Sequence, residues 1–262
     1  MNESDPQWSK LIDMDSDWSF CHQKLFHKSK KDLPTEDVAH SLLHFLVVAK
    51  FYGVTRTNKA SRRALADVLH RLDAEKNWGV NIGSANTSLH KSLLNLDLYD
   101  APNVNIISDG GELPFHANTL DVVVAQEVLE HVEDPFSLVA DILRVLKPGG
   151  VFYCQVPFVI GYHPGPTDFW RFTKESFHFI FSEKYWNLEQ VGPSLGHGSG
   201  LYRILVEFCA VTASCFSRYF YKPVKGFAAI ICSPLKLFDL LVPSNQASHR
   251  IPGGYYCVVR KK

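Results

Sequence analysis

Leu120–Ala125 reads Leu-Asp-Val-Val-Val-Ala, Pro135–Leu146 reads Pro-Phe-Ser-Leu-Val-Ala-Asp-Ile-Leu-Arg-Val-Leu, and Val151–Val156 reads Val-Phe-Tyr-Cys-Gln-Val. The outer two are short, mostly apolar runs of strand length, rich in β-branched and aromatic residues. The middle one spaces its apolar residues as one face of a helix and stops before Pro148-Gly149-Gly150, residue types that end helices. Strand, helix and strand in close succession form the repeating unit of a parallel sheet.

The same alternation extends outward from this unit. Towards the N-terminus, Trp78–Ile82 reads as a strand followed by a loop at Gly83 and a short helix. Leu93–Leu96 and Val104–Ser108 read as two more strands. Towards the C-terminus, Trp186–Val191 and Tyr255–Arg260 complete a set of seven. The expected class is α/β, a Rossmann-like, mostly parallel seven-stranded sheet with helices on both faces. That domain is expected to occupy residues 77–262, with an apolar helical insertion over 201–245. Residues 1–76 read as an irregular lead-in, with scattered aromatics such as Trp8, Trp18 and Phe20, followed by a helical cap. One cap helix opens at Pro34-Thr35, where Thr35 can cap it, and runs through Val38 to Phe51. A second carries Ala64, Leu65, Val68, Leu69 and Leu72 on one face.

Composition narrows the partners. The 262 residues are 46% hydrophobic and 21% charged, ordinary values for a globular protein. Lys plus Arg and Asp plus Glu both number 27, so no overall field draws nucleic acid to the surface. None of the six cysteines sits in a C-x-x-C pair and no signal peptide precedes them. The expectation is a cytoplasmic protein with reduced thiols and no metal site.

Ligands of open parallel sheets collect at the carboxyl ends of the strands, and the polar residues of interest fall there. Asn81, Gly83, Ser84 and Ala85 close the first strand. Gly83 lets a ligand approach the backbone, and the expected helix behind it offers free N–H groups to an anion. Asp97 closes the second strand, where an acid can accept both hydroxyls of a ribose. Asp109 and Gly110 close the third, where a carboxylate can accept from the exocyclic amine of adenine.

Three stretches then make a specific pattern: Asp109-Gly110-Gly111-Glu112-Leu113-Pro114-Phe115, Glu127-Val128-Leu129-Glu130-His131-Val132, and Arg144-Val145-Leu146-Lys147-Pro148-Gly149-Gly150. With Leu120–Ala125 between them, they resemble the class I S-adenosylmethionine-dependent methyltransferases, in particular the type 11-like enzymes of polysaccharide and glycan clusters. The resemblance implies that Gly83 and its neighbours hold the methionine part of S-adenosylmethionine, Asp97 the ribose, and Asp109 with Gly110 the adenine. Gln126 and Glu127 would line the site beside the sulfonium, with His131 close by. The chain departs from the family at its first motif. Asn81 replaces the usual acid, and Ala85 and Thr87 replace the second and third glycines. Asn81 accepts a hydrogen bond but brings no charge, and Ala85 is tolerable unless its backbone needs a positive φ.

Past the fifth strand, His163-Pro164-Gly165-Pro166-Thr167-Asp168-Phe169-Trp170-Arg171-Phe172-Thr173 resembles a segment of methyltransferases encoded among glycan-assembly enzymes. It offers a base (His163), a carboxylate (Asp168), a stacking surface (Trp170) and an anion clamp (Arg171). Alternatively, Asp168 and Arg171 pair to fold the loop. His163 and His131 are the two candidates for the base.

The expected activity is methyl transfer to an oxygen of a sugar, a polysaccharide precursor or a similar small acceptor. The apolar run 201–242, with Arg203, Arg218, Lys222, Lys225 and Lys236, raises an alternative. Its uncharged windows are too short to span a bilayer, but it suits either a roof over the acceptor or a helix lying on an anionic membrane. A lipid or quinone-like acceptor follows from the second option. The altered first motif raises a third reading, a cofactor-binding protein that has lost catalysis and serves as an interaction module.

Overall fold

The computed structural model describes residues 10–13, 18–21, 24–27, 57–72, 76–108, 112–241 and 246–262. Nine strands among them form one sheet. They are β1 (Trp18–Cys21), β2 (Lys24–His27), β3 (Gly79–Ile82), β4 (Leu93–Asp97), β5 (Ile106–Ile107), β6 (Leu120–Gln126), β7 (Leu146–Pro157), β8 (Trp186–Leu195) and β9 (Gly254–Lys261). Their order is β1-β2-β5-β4-β3-β6-β7-β9-β8. The central strands β5, β4, β3, β6 and β7 run parallel, and β9 enters antiparallel between β7 and β8.

All seven expected strands are present, and the lead-in supplies two more. β1 and β2 form a hairpin whose second strand lies parallel to β5. The expectation of an irregular lead-in is therefore corrected over Trp18–Cys21 and Lys24–His27. The physical reason is burial: Trp18 and Leu25 are 4% and 0% exposed. The hairpin also covers the β5 edge that would otherwise present unpaired backbone groups.

Five α-helices lie among the described residues: α1 (Lys59–Leu69), α2 (Pro135–Val145), α3 (Lys174–Ile180), α4 (His197–Ser214) and α5 (Tyr221–Ile231). Alternation along the strands sends side chains to opposite faces. Val80, Ile82, Val123, Ala125, Phe152 and Cys154 pack in one core with Leu138 and Ile142 of α2 and Phe177 of α3. Val122, Val124, Tyr153 and Tyr256 pack in another with Ala64 and Val68 of α1. The α1 and α2 starts follow capping rules. Asn58 accepts from Ser61 N at 2.9 Å, and Asp134 accepts from Phe136 N and Ser137 N ahead of Pro135.

One expected helix does not form: residues 83–92 run as turns and irregular chain. Their side chains compete for the backbone instead. Thr87 Oγ1 donates to Ser84 O at 2.6 Å, and Asn86 Oδ1 accepts from Asn103 N at 3.2 Å. The expected helix over Val38–Phe51, and the sites at Asp109 and Gly110, lie outside the described residues.

The insertion folds as α4, α5 and short 3-10 turns around a small cluster of its own, Tyr202, Val206, Ala228 and Ala229. It begins beside the end of β7, where a Cβ on Gly200 would sit 3.1 Å from Val159 O. No helix among the described residues is long and apolar enough to cross a membrane.

Candidate active site

The loop after β3 is shaped by backbone conformation. Gly83 has φ +66°, and a Cβ there would lie 2.4 Å from Val128 Cγ2 on the loop after β6. Only glycine satisfies both demands. Ala85 also needs a positive φ, 47°, the one condition under which its methyl group is costly. Asp97, at the carboxyl end of β4, braces this turn. One carboxylate oxygen accepts from Ala85 N at 2.6 Å and the other from Tyr99 N at 3.0 Å. Ser84 is buried and its N–H donates to Leu96 O. Asn81 is buried as well, and its amide donates to Asn95 Oδ1 at 3.3 Å across the β3–β4 pair. Since no helix follows, the anion-attracting helix end expected behind Gly83 is absent from this loop.

At the end of β6, Gln126 is the last strand residue and Glu127 turns the chain with φ 56°. Glu127 N donates to Gln155 O at 2.8 Å, and Gln155 Nε2 donates to Glu127 Oε1 at 3.1 Å. Burial and the neighbouring Glu130 carboxylate push the Glu127 carboxyl up to about 7, against the opposing hydrogen bond from Gln155. A short 3-10 turn, Leu129–His131, follows.

The loop after β7 is fastened onto that turn. Phe169 N donates to Glu130 O at 2.7 Å, Trp170 Nε1 donates to Val132 O at 3.0 Å, and Thr167 Oγ1 donates to His131 O at 3.2 Å. Inside the loop, the two terminal nitrogens of Arg171 reach the two oxygens of Asp168 at 2.5 and 2.7 Å. They also donate to Gly161 O at 2.9 Å and Trp170 O at 2.7 Å. The guanidinium is thus committed to the loop itself. Hydrogen bonding from Arg171 holds the Asp168 carboxyl down at about 2. His163 N donates to Asp168 Oδ2 at 2.8 Å.

This fastening brings His163 against the adjacent side chains of Glu130 and His131. Glu130 is fully buried. His131 Nε2 and His163 Nε2 each lie 3.6 Å from Glu130 Oε1, and the two imidazoles meet edge to face with centroids 5.1 Å apart. Burial disfavours the His163 imidazolium, but the carboxylates of Glu130, Asp168 and Glu127 outweigh it and raise its pKa. Sequence reasoning brought His131 and His163 forward but missed Glu130. An acid in a turn ordinarily points to water, and what buries this one arrives more than thirty residues later. The available signal was its position directly before His131.

A family model described as a methyltransferase domain matches residues 61–154. A probable S-adenosylmethionine-dependent methyltransferase of Mycolicibacterium smegmatis is 44% identical over 54 residues, 21% of this chain and 21% of that protein. A demethylmenaquinone methyltransferase of Bacillus pumilus is 32% identical over 77 residues, 28% of this chain and 33% of its own length. The chain thus spans a third or less of the length of these relatives. Among solved structures, phosphoethanolamine N-methyltransferase 2 of Haemonchus contortus in complex with S-adenosyl-L-methionine aligns with a TM-score of 0.47 and 16% identity. That alignment covers 83% of this chain and 56% of the other. Residues 61–154, the stretch that builds β3 to β6 and the turn bearing Glu130 and His131, are therefore methyltransferase-like.

Proposed function

We propose that the chain is an S-adenosylmethionine-dependent methyltransferase acting on an oxygen of a sugar, a polysaccharide precursor or a similar small acceptor. The observation that carries this reading is Asp97. It stands at the end of β4, grips the backbone of the 83–86 turn, and keeps lone pairs available for hydroxyl donors. When bound, S-adenosylmethionine supplies a methyl group already activated by its sulfonium. The residues present suit it: Asn81, Gly83, Ser84 and Ala85 for the methionine part, Asp97 for the ribose, and Gln126 and Glu127 beside them. By resemblance, Asp109 and Gly110 would take the adenine.

The acceptor belongs on the other side of Val128, against the loop after β7. His131 and His163 are the side chains placed to activate its hydroxyl. Asp168 and Arg171 act as positioning residues, because their charged atoms are spent on each other and on the loop backbone. Because the transfer is a displacement at an activated carbon, orientation supplies much of the acceleration.

A second reading, a lipid or quinone-like acceptor met at a membrane surface, is favoured by the insertion. Leu201, Ile204, Phe208 and Val211 form an outward stripe along α4, and Phe216, Phe227 and Ile231 continue the exposed apolar surface. Arg218 and Lys222 stand exposed beside them, a pairing suited to anionic lipid. Transfer of label from S-adenosylmethionine to panels of soluble sugar precursors and of lipid-linked acceptors in anionic vesicles tests both readings. Label on soluble precursors is the expected result, and label only on vesicle-borne acceptors would favour the second. Tight cofactor binding with no label on either panel would contradict both and support an interaction protein instead.

A further inference from the structure

We propose that Glu130, His131 and His163 form a binding site for one divalent transition-metal ion. The Glu130 Oε1, His131 Nε2 and His163 Nε2 atoms occupy one small region, with a donor from each residue within 4.8 Å of the others. Both carboxylate oxygens of Glu130 and Nε2 of His163 are buried without a hydrogen-bond partner. A direct imidazole–carboxylate hydrogen bond would close to about 3 Å, whereas both contacts stand at 3.6 Å. Metal–ligand bonds of about 2.0–2.2 Å place neighbouring donors roughly 3–3.5 Å apart, close to the distance from Glu130 Oε1 to each imidazole.

The outer contacts point the same way. A histidine that ligates a metal through one ring nitrogen usually donates from the other to a carboxylate or a backbone carbonyl. His163 Nδ1 lies 3.3 Å from Asp168 Oδ2 and 3.4 Å from Arg171 Nη2, and His131 Nδ1 is bonded to Thr167 O. In each ring the nitrogen away from Glu130 is engaged, and Nε2 is left turned towards the carboxylate. Two imidazoles and one carboxylate suit zinc, iron, cobalt or manganese, and three protein ligands leave a position open. The His131 and His163 side chains are 16% and 32% exposed, so the open side connects to the acceptor side of the loop.

The ion rests on this geometry alone. Its use rests on the methyl-transfer reading: there it would polarise the acceptor hydroxyl. Asp168 then becomes a positioning residue for a ligand, which gives the Asp168–Arg171 pair a purpose beyond loop folding.

The test is titration of the chelator-stripped full chain with Zn²⁺ by calorimetry and with Co²⁺ by visible absorption, in the absence of acceptor. One equivalent bound at micromolar affinity or tighter is expected, with a cobalt spectrum free of thiolate charge transfer. His163→Ala and Glu130→Gln should each weaken binding at least a hundredfold, and Asp168→Asn by ten- to a hundredfold. No binding by the wild-type chain, a thiolate-type spectrum, or equal binding by His163→Ala would overturn the proposal. The wild-type spectrum reports the ligand type even where a variant fails to fold. Titrating the same stripped protein with S-adenosylmethionine separates failure of the metal site from failure of the cofactor reading.

Discussion

The turn at 83–87 and the loop at 161–173 both sit at carboxyl ends of parallel strands, yet they are held in opposite ways. The first is kept by backbone conformation: two positive φ angles, one glycine pressed against Val128, and a single carboxylate bracing the turn. The second is kept by side chains. A carboxylate–guanidinium pair holds the loop to itself, and six hydrogen bonds tie it to residues 130–133. The contrast suits their proposed tasks. A turn made of backbone tolerates the loss of family glycines at some cost in strain, and so can still receive a cofactor. A loop made of paired charges places two imidazoles and a carboxylate in fixed relation, but fails as a unit when one member is removed.

The largest effect should come from breaking the second device. Arg171→Ala leaves the Asp168 carboxylate, 1% exposed, without its partner. A loss of about 3 kcal/mol is expected, read by denaturant unfolding, with cofactor affinity preserved in the protein that remains folded. If stability holds, the loop does not depend on the pair and the contrast fails. Gly83→Ala attacks the first device. The added methyl meets Val128 in a conformation that already disfavours it, for an expected cost of about 2 kcal/mol. Adding Val128→Ala should recover the steric part but not the backbone part, a partition that double-variant unfolding measures.

Smaller effects sharpen the comparison. Asp97→Ala should weaken S-adenosylmethionine by about 1–3 kcal/mol, the usual cost of losing a buried charge-assisted hydrogen bond, measured by calorimetry. Equal affinity would remove Asp97 from the ribose site. Ala85→Gly should move the other way. Relief of the left-handed conformation exceeds the added chain entropy by roughly 0.5 kcal/mol, so a small rise in melting temperature is expected. A fall would mean that the turn does not strain Ala85.

These two regions also divide what the sequence could tell. Alternating strand and helix patterns identified β3 to β9, because a parallel sheet buried on both faces leaves unmistakable apolar runs such as Leu120–Ala125. The strand ends at Asn81 and Asp97 followed from that pattern, and Gln126 from the family resemblance. The β1–β2 hairpin escaped because its four-residue strands lie in a polar stretch, and their burial comes from pairing with a strand some eighty residues on. The helix expected after Gly83 was mistaken because Ser84, Asn86 and Thr87 spend their side chains on the backbone. Glu130 was passed over although it stands directly before His131, because its partner His163 comes from the 161–173 loop, a contact that no local pattern encodes.

The most direct test of the central claim is calorimetric titration of the full chain with S-adenosylmethionine and S-adenosylhomocysteine. Saturable one-to-one binding of both at micromolar strength, weakened by Asp97→Ala, is the predicted result. No heat with either ligand, in protein shown to be folded, would contradict the account.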